Sequence, residues 1–409
     1  MAQLRAAWLL PISQPPIRDG WVRTERGRIT AFGPFRRGDR ADADEIDLGS
    51  VALLPGLVNA HTHLELSWMR GRIDPTGNFP QWLRRVIGLQ RASQEAGDNT
   101  AVEAAIGGAI DEARRTGTVL FGDISNTLGS IGKLVECESA AVVFHELIGF
   151  KSERAPQLMA EAVRKLADAP PRALIRCALA AHAPYSVSPA LFQAIRQELR
   201  RDPFARCSVH LGESKAESDF LHGGGGPLRY LLEELGAWDP AWQAPACDPV
   251  EYLDRMGFIT DRLLVVHGVQ FGQKELIRMK SRSATLVTCP RGNRLTAAGE
   301  PPVADFYASG VRIAVGTDSL ASVPDLNMFS ELAELRRLAP QVPAARLLES
   351  ATINGAAALG FDGDFGTIEP GKRDALIAVD VPANLENVEE HLMCGISSAE
   401  IRRIDDGLF

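Results

Sequence analysis

The sequence predicts an eight-stranded (β/α)8 TIM-type barrel with a small β-sandwich domain built from both chain termini. Three observations lead there. From about residue 55, short apolar runs alternate with amphipathic stretches, the mark of repeated βα units on a parallel sheet. Eight such runs can be counted. Seven of them end in a polar or ionisable cluster, and in a β/α barrel the C-terminal strand ends are where active sites are built.

Residues 1–54 are β-rich, with LRAAWLLPI followed by GWVRTERGRITAFGP and turns expected at Arg18-Asp19-Gly20 and Glu25-Arg26-Gly27. The barrel is expected over 55–362. Its eight strands are read at ALLPGLVNAHTH (52–63), GTVLFGDIS (117–125), AAVVFHELIG (140–149) and ALIRCALAAHAP (173–184), then RCSVHLGES (206–214), RLLVVHGVQ (262–270), ATLVTCP (284–290) and VRIAVGTDS (311–319). These runs are apolar on both faces, as buried parallel strands must be. Helical patterns such as NTAVEAAIGGAIDEARRTG and SPALFQAIRQELRR lie between them, the second with Ser188 as N-cap and Pro189 at the first helical position. The tail from 363, including GDFGTIEPGKRDALIAVD, returns to strands and turns, and residues 363–409 are expected to join 1–54 in the small domain.

The chain of 409 residues is long enough for a barrel of about 250 residues plus such an appendage. Hydrophobic content of 45% and charged content of 23% are ordinary for a globular protein, and a net charge of −8 without a basic stripe disfavours a nucleic-acid partner. No run approaches 18 apolar residues and no cleavable leader is visible, so no membrane association and a cytoplasmic location are expected. The six cysteines (137, 177, 207, 247, 289, 394) lie far apart, as reduced thiols do, and no Pro-Cys-x-x-Cys zinc-deaminase motif occurs. The partner expected is a small-molecule substrate; homo-oligomerisation stays open.

His61-Thr62-His63 is the strongest local signal, because residues i and i+2 of a strand point to one side and can meet one metal. His210 offers a third nitrogen and Asp318 an oxygen, a set that suits one divalent ion, Zn2+ or Fe2+, with a position left for water. Glu213, three residues beyond His210, is placed to shuttle a proton to a substrate ring nitrogen. His267 either binds metal or, preferably, orients the attacking water and stabilises developing charge. His182 is read as a substrate contact, and Glu146 as the rim residue beside a His145 that faces the helices. The string HGGGGP (222–227) lacks an accompanying G-x-S-x-G and is read as a flexible loop near the mouth, a candidate lid. No lysine ends any run, although Lys151 is near the third, so one metal is expected rather than a lysine-bridged pair.

PGLVNAHTHLELS, HLGE, VHG, TCPRGN and GTDS, in that order, resemble the amidohydrolase superfamily over about residues 50–380. The resemblance implies a distorted barrel and a terminal β-sandwich. Within it the pattern is similar to the deaminase and chlorohydrolase branch with one metal, which implies His61, His63, His210 and Asp318 as ligands, Asp318 also as acceptor of the water's proton, Glu213 as ring protonator and His267 as assistant. HAPYSVSP and CPRGN match that branch's substrate segments, implicating His182 and Asn293. HLELS followed by FPQWLRRVIGLQR (79–91) resembles the aminodeoxyfutalosine deaminases of the alternative menaquinone pathway, which implies a basic residue for a benzoate; Arg84, Arg85 and Arg91 are candidates, with Arg91 taken as the substrate contact. S-adenosylhomocysteine deaminases carry an acidic residue for ribose in this segment, where Gln90 and Arg91 stand. The function so implied is hydrolytic deamination of an aminated purine nucleoside. The alternatives are guanine, a thioether nucleoside or a triazine on the same machinery, and, more remotely, a non-catalytic binding barrel.

Overall fold

The computed structural model describes residues 2–36, 45–74, 76–97, 99–169 and 172–404; residues 37–44 and 405–409 of the terminal segments lie outside it. Near the N-terminus, β1 (Ala2–Leu9), β2 (Ile17–Glu25) and β3 (Arg28–Pro34) form an antiparallel ladder. β4 (Glu45–Asp47) and β5 (Val51–Pro55) pair in parallel with successive parts of β1, so the sheet forks there. The turn at 25–27 is a two-residue hairpin in which Arg26 (φ 52°) and Gly27 (φ 74°) both take the positive φ such turns need. The turn expected at 18–20 does not form. Those residues lie inside β2, where Arg5 forks the Asp19 carboxylate at 2.7 and 2.9 Å and holds it in the strand.

The eight apolar runs are the eight barrel strands: β6 (Leu57–Thr62), β7 (Thr118–Ser125), β8 (Ala140–Leu147), β9 (Ile175–Ala181), β10 (Cys207–Leu211), β11 (Leu263–His267), β12 (Thr285–Thr288) and β13 (Arg312–Val315). Each is parallel to the next in chain order. β13 returns to β6 through a single parallel bridge at Thr62 and Asp318, where the Asp318 amide donates to the His61 carbonyl at 3.1 Å. Helices cover the outside of the sheet. Ser188 accepts from the Leu191 amide at 3.2 Å and Pro189 opens the helix Pro189–Leu199, a cap the sequence makes legible.

After the barrel the chain re-enters the first sheet. β14 (Leu376–Asp380) pairs antiparallel with β5, and β15 (Ile401–Arg403) pairs with β14, completing seven strands over a core that includes Leu4, Leu9, Val22, Leu53 and Leu376. Only Gly56 separates β5 from β6, and a Cβ there would lie 2.2 Å from Val119 of β7. Among the described residues no helix is long and apolar enough to cross a membrane.

Candidate active site

The site forms where β6, β10, β11 and β13 end. His61 and His63 project to one side at the end of β6, with their Nε2 atoms 3.2 Å apart. Asp318 Oδ1 lies 3.9 Å from the first and 3.6 Å from the second. His61 also falls within 4.8 Å, ligand atom to ligand atom, of His210 and His267. Glycines allow this convergence: a Cβ on Gly122 of β7 would sit 2.3 Å from the Ala60 carbonyl oxygen, and one on Gly316 would sit 2.5 Å from that of His61. Both neighbours of β6 therefore press on its backbone at the level of the imidazoles. His267 (φ 81°) and Asp318 (φ 63°) hold positive φ without being glycine, a cost that tends to collect at functional sites.

Electrostatics follows from the packing. Burial, then the proximity of the other imidazoles, holds His61, His63 and His267 well below the usual histidine range, and burial lowers His210 to about 4. All four are neutral at physiological pH and offer lone pairs. His210 Nδ1 is committed to the His182 carbonyl at 3.0 Å and His267 Nδ1 to the Asn293 side-chain oxygen at 2.8 Å, which turns each Nε2 inward. Burial raises Asp318 to about 7 despite the Ser322 hydroxyl donating to its Oδ2 at 2.8 Å, and raises Glu213 well above the carboxylate range. Glu213 Oε1 stands 3.6 Å from His267 Nε2.

These residues fit a cation. The imidazole Nε2 atoms of His61 and His63 crowd Asp318 Oδ1, and ligands on a tetrahedral Zn2+ at about 2.1 Å would lie about 3.4 Å apart, close to the 3.2, 3.6 and 3.9 Å seen here. Two groups that share His61, namely His61, His63 and Asp318 and His61, His210 and His267, each bring their ligand atoms within 4.8 Å of one another and could hold a divalent ion, and a third such group joins Glu146, His182 and His210.

The cluster closes the inner end of a cavity of about 440 Å3. His182 lines it, lowered to about 4 by burial; its Nδ1 lies 2.5 Å from Ser186 Oγ, whose hydroxyl is donated to the Ala183 carbonyl, so Nδ1 carries the proton and Nε2 can accept. Glu146 also lines it. Farther out the wall is apolar: Phe79, Trp82, Leu83 and Val86 from one helix and Leu228, Leu231 and Leu232 from another.

Other sequence-nominated residues go elsewhere. Asn293 is buried beside His267, its side-chain oxygen 2.8 Å from His267 Nδ1, and is not among the residues that line this cavity. Arg91 is exposed and outside the cavity; Arg84 pairs with Glu234 and Arg85 with the Asp74 carbonyl, while Lys151 and Arg154 line the wall. Of HGGGGP, His222 and Gly223 finish a helix and Gly224–Gly226 connect it to the helix Pro227–Glu234, whose leucines line the cavity.

Sequence reasoning missed the supports. The Asp123 carboxylate accepts from the Leu64 amide and the Ser130 hydroxyl (2.9 and 2.5 Å), fixing the chain just after His63, and burial pushes it up to about 8. Glu65 accepts from Ser125, Asn126, Thr127 and Gly129 and so builds the loop after β7. Glu217 accepts from the Gly212 and Glu213 amides at 3.1 and 3.0 Å. An acid two residues past the HxH and one four residues past Glu213 were the available signals.

A β/α barrel that gathers neutral imidazoles and a carboxylate at its C-terminal rim, at the foot of a deep cavity, defines a barrel with a metal-type centre. The sequence profile of the amidohydrolase family matches residues 52–401, and this chain belongs to that family. A 5-methylthioadenosine/S-adenosylhomocysteine deaminase of Nitratidesulfovibrio vulgaris (strain DSM 19637 / Miyazaki F) is 30% identical over 405 residues, spanning 94% of this chain and 86% of that protein. Helicobacter pylori aminofutalosine deaminase, solved with methylthio-coformycin, superposes with a TM-score of 0.83 at 25% identity, covering 99% of this chain and 98% of that one. An adenosine deaminase from Xanthomonas campestris with bound zinc gives 0.78 at 28% identity, covering 98% and 90%.

Proposed function

We propose that this chain is a metal-dependent hydrolytic deaminase of an aminated purine nucleoside, with aminodeoxyfutalosine as the best single substrate. As an amidohydrolase it acts on carbon–nitrogen bonds other than peptide bonds. What carries the nucleoside reading is one cavity that runs from the imidazole–carboxylate cluster, past Glu213 and His182, to an apolar outer wall. A ring with an exocyclic amine fits the inner end, and a substituent carried by a sugar fits the outer. The deaminases of similar sequence and fold support the same reaction class.

A bound divalent ion supplies a water whose pKa falls to about 7. The side chains do the rest. Asp318, with Oδ2 held by Ser322, keeps Oδ1 toward the cluster to take one proton from water and pass it to the departing amine. Glu213, kept protonated by burial, gives its proton to the ring nitrogen beside the attacked carbon and regains one when the intermediate collapses to the lactam. His267, with Nδ1–H donated to Asn293, presents an unprotonated Nε2 that orients the attacking water. His182 presents a second acceptor to the substrate. Water thus yields ammonia and the oxo group, and each side chain returns to its starting state.

The outer wall of Phe79, Trp82 and Leu83 suits an aryl group, and Lys151 or Arg154 is positioned to meet its carboxylate. The same wall also suits a methylthio group, which keeps a thioether nucleoside as the second reading. Ammonia release should be assayed on aminodeoxyfutalosine, methylthioadenosine, S-adenosylhomocysteine, adenosine and guanine. Turnover of aminodeoxyfutalosine at least about tenfold above the others is expected; activity on guanine alone would reject the nucleoside reading. Glu213→Gln should keep metal and fold while losing about 10²- to 10⁴-fold in turnover.

A further inference from the structure

Among the described residues that line the cavity, Glu146 carries a buried carboxyl oxygen with no hydrogen-bond partner. It ends β8, is 6% exposed and lines the cavity wall. One oxygen, Oε2, accepts from the Asn126 side-chain amide at 2.9 Å, and Asn126 is itself fixed because its backbone amide donates to Glu65 at 3.0 Å. The other oxygen, Oε1, is buried and has no hydrogen-bond partner among the described residues. Its nearest imidazole nitrogen is His210 Nδ1 at 3.6 Å, but that N–H already belongs to the His182 carbonyl at 3.0 Å. A buried acceptor left without a donor is costly, and native structures retain one where something else fills it.

Position says what that is. Around the rim the order is β8, β9, β10, which carry Glu146, His182 and Glu213 in turn. A ring protonated by Glu213 and touched by His182 would then direct its attached group toward Glu146, which lines the same cavity. An unpartnered carboxyl oxygen is an acceptor, so a group that satisfies Oε1 donates to it. A sugar hydroxyl does so.

We infer that Glu146 reads a ribose hydroxyl of the substrate through Oε1, held in register by Asn126 and Glu65. This rests on the nucleoside reading above. It makes Glu146 a specificity residue for ribo- over deoxynucleosides, and assigns it no part in proton transfer.

The test compares adenosine with 2′-deoxyadenosine and 3′-deoxyadenosine in the metal-loaded wild type and in Glu146→Gln, following ammonia release and bound metal. One hydrogen bond to a charged acceptor corresponds to a preference of about 10- to 100-fold in kcat/KM for adenosine over at least one deoxy analogue in the wild type. In Glu146→Gln, with metal content unchanged, the preference should shrink to within about threefold, mainly through adenosine. An unchanged preference in the variant, or none in the wild type, overturns the assignment to Glu146 alone. A wild type that deaminates no nucleoside overturns the nucleoside reading and this inference with it. Should Glu146→Gln lose metal, Glu146→Asp serves in its place: it keeps the charge but draws Oε1 back by about one methylene, and the same loss of discrimination is expected.

Discussion

Glu217 shows how much one buried carboxyl can govern. It is 0% exposed, and two backbone amides at Gly212 and Glu213 donate to it, so it sets the direction in which the Glu213 side chain leaves the strand. Burial raises it to about 7, with the two amides pulling the other way. A free Glu titrates near 4.3, so between about pH 4.3 and 7 the folded chain keeps a proton that the unfolded chain releases. The stabilisation from that proton is complete below pH 4.3 and is lost as pH rises through 7. At 1.36 kcal/mol per pKa unit, the part lost between pH 5 and pH 7 is worth about 3 kcal/mol. Urea unfolding of wild type and Glu217→Gln at pH 5 and pH 8 should show the wild type losing about that much more than the variant on going to pH 8. Parallel pH dependences would mean that Glu217 is ionised throughout. None of this was visible in the sequence, where Glu217 is one more acid at the start of a helix. The reacting groups were visible, because HxH, HLGE and GTDS each place an ionisable residue at the end of an apolar run. The supports were not, since Asn293, Asn126 and Glu65 act across 20 to 61 residues of chain.

The strands were legible as elements for a simple reason: buried on both faces, they have almost no polar residue until they reach the rim. Helices were harder. The helix Phe79–Ala96 was nominated for its arginines, but Arg84 and Arg85 turn outward and its inner face is Phe79, Trp82, Leu83 and Val86. Which face of an amphipathic helix looks into a cavity is settled by the partner helix, here Pro227–Glu234, and no local pattern announces that partner. Arg84 and Glu234 join the two at 2.9 Å, but both are about half exposed, so the pair adds little beside the apolar contact. Trp82, 9% exposed and on the wall, should matter more. Trp82→Ala is expected to raise KM for a nucleoside with a bulky 5′ substituent by roughly tenfold, with kcat and metal content nearly unchanged, because the contact is made equally in ground and transition states. An equal rise for adenosine would place Trp82 over the base or sugar instead.

At the scale of the molecule, the metal-type centre coincides with the seam of the barrel. The β13–β6 pairing consists of one bridge at Thr62 and Asp318, whereas β7 and β8 share a register of six residue pairs. The side chains that can hold the ion come from β6 on one side of that seam, from Asp318 just past β13 on the other, and from β10 across the barrel. An ion bound there ties the first and last strands together where backbone hydrogen bonds are fewest. A ligand bound only by the folded state stabilises it by about 2.7 kcal/mol at 100 times its Kd, and for a chain of 409 residues that is a rise of about 3 °C in Tm. Dialysis against a chelator should therefore lower Tm by about 3 to 5 °C, and Zn2+ or Fe2+ should restore it. His61→Ala, which removes a ligand beside the seam, should start at the lower Tm and respond to neither treatment. If stripping the metal left Tm unchanged while abolishing turnover, the ion would serve the chemistry alone, and the Asp318–His61 backbone bond would be closing the barrel unaided.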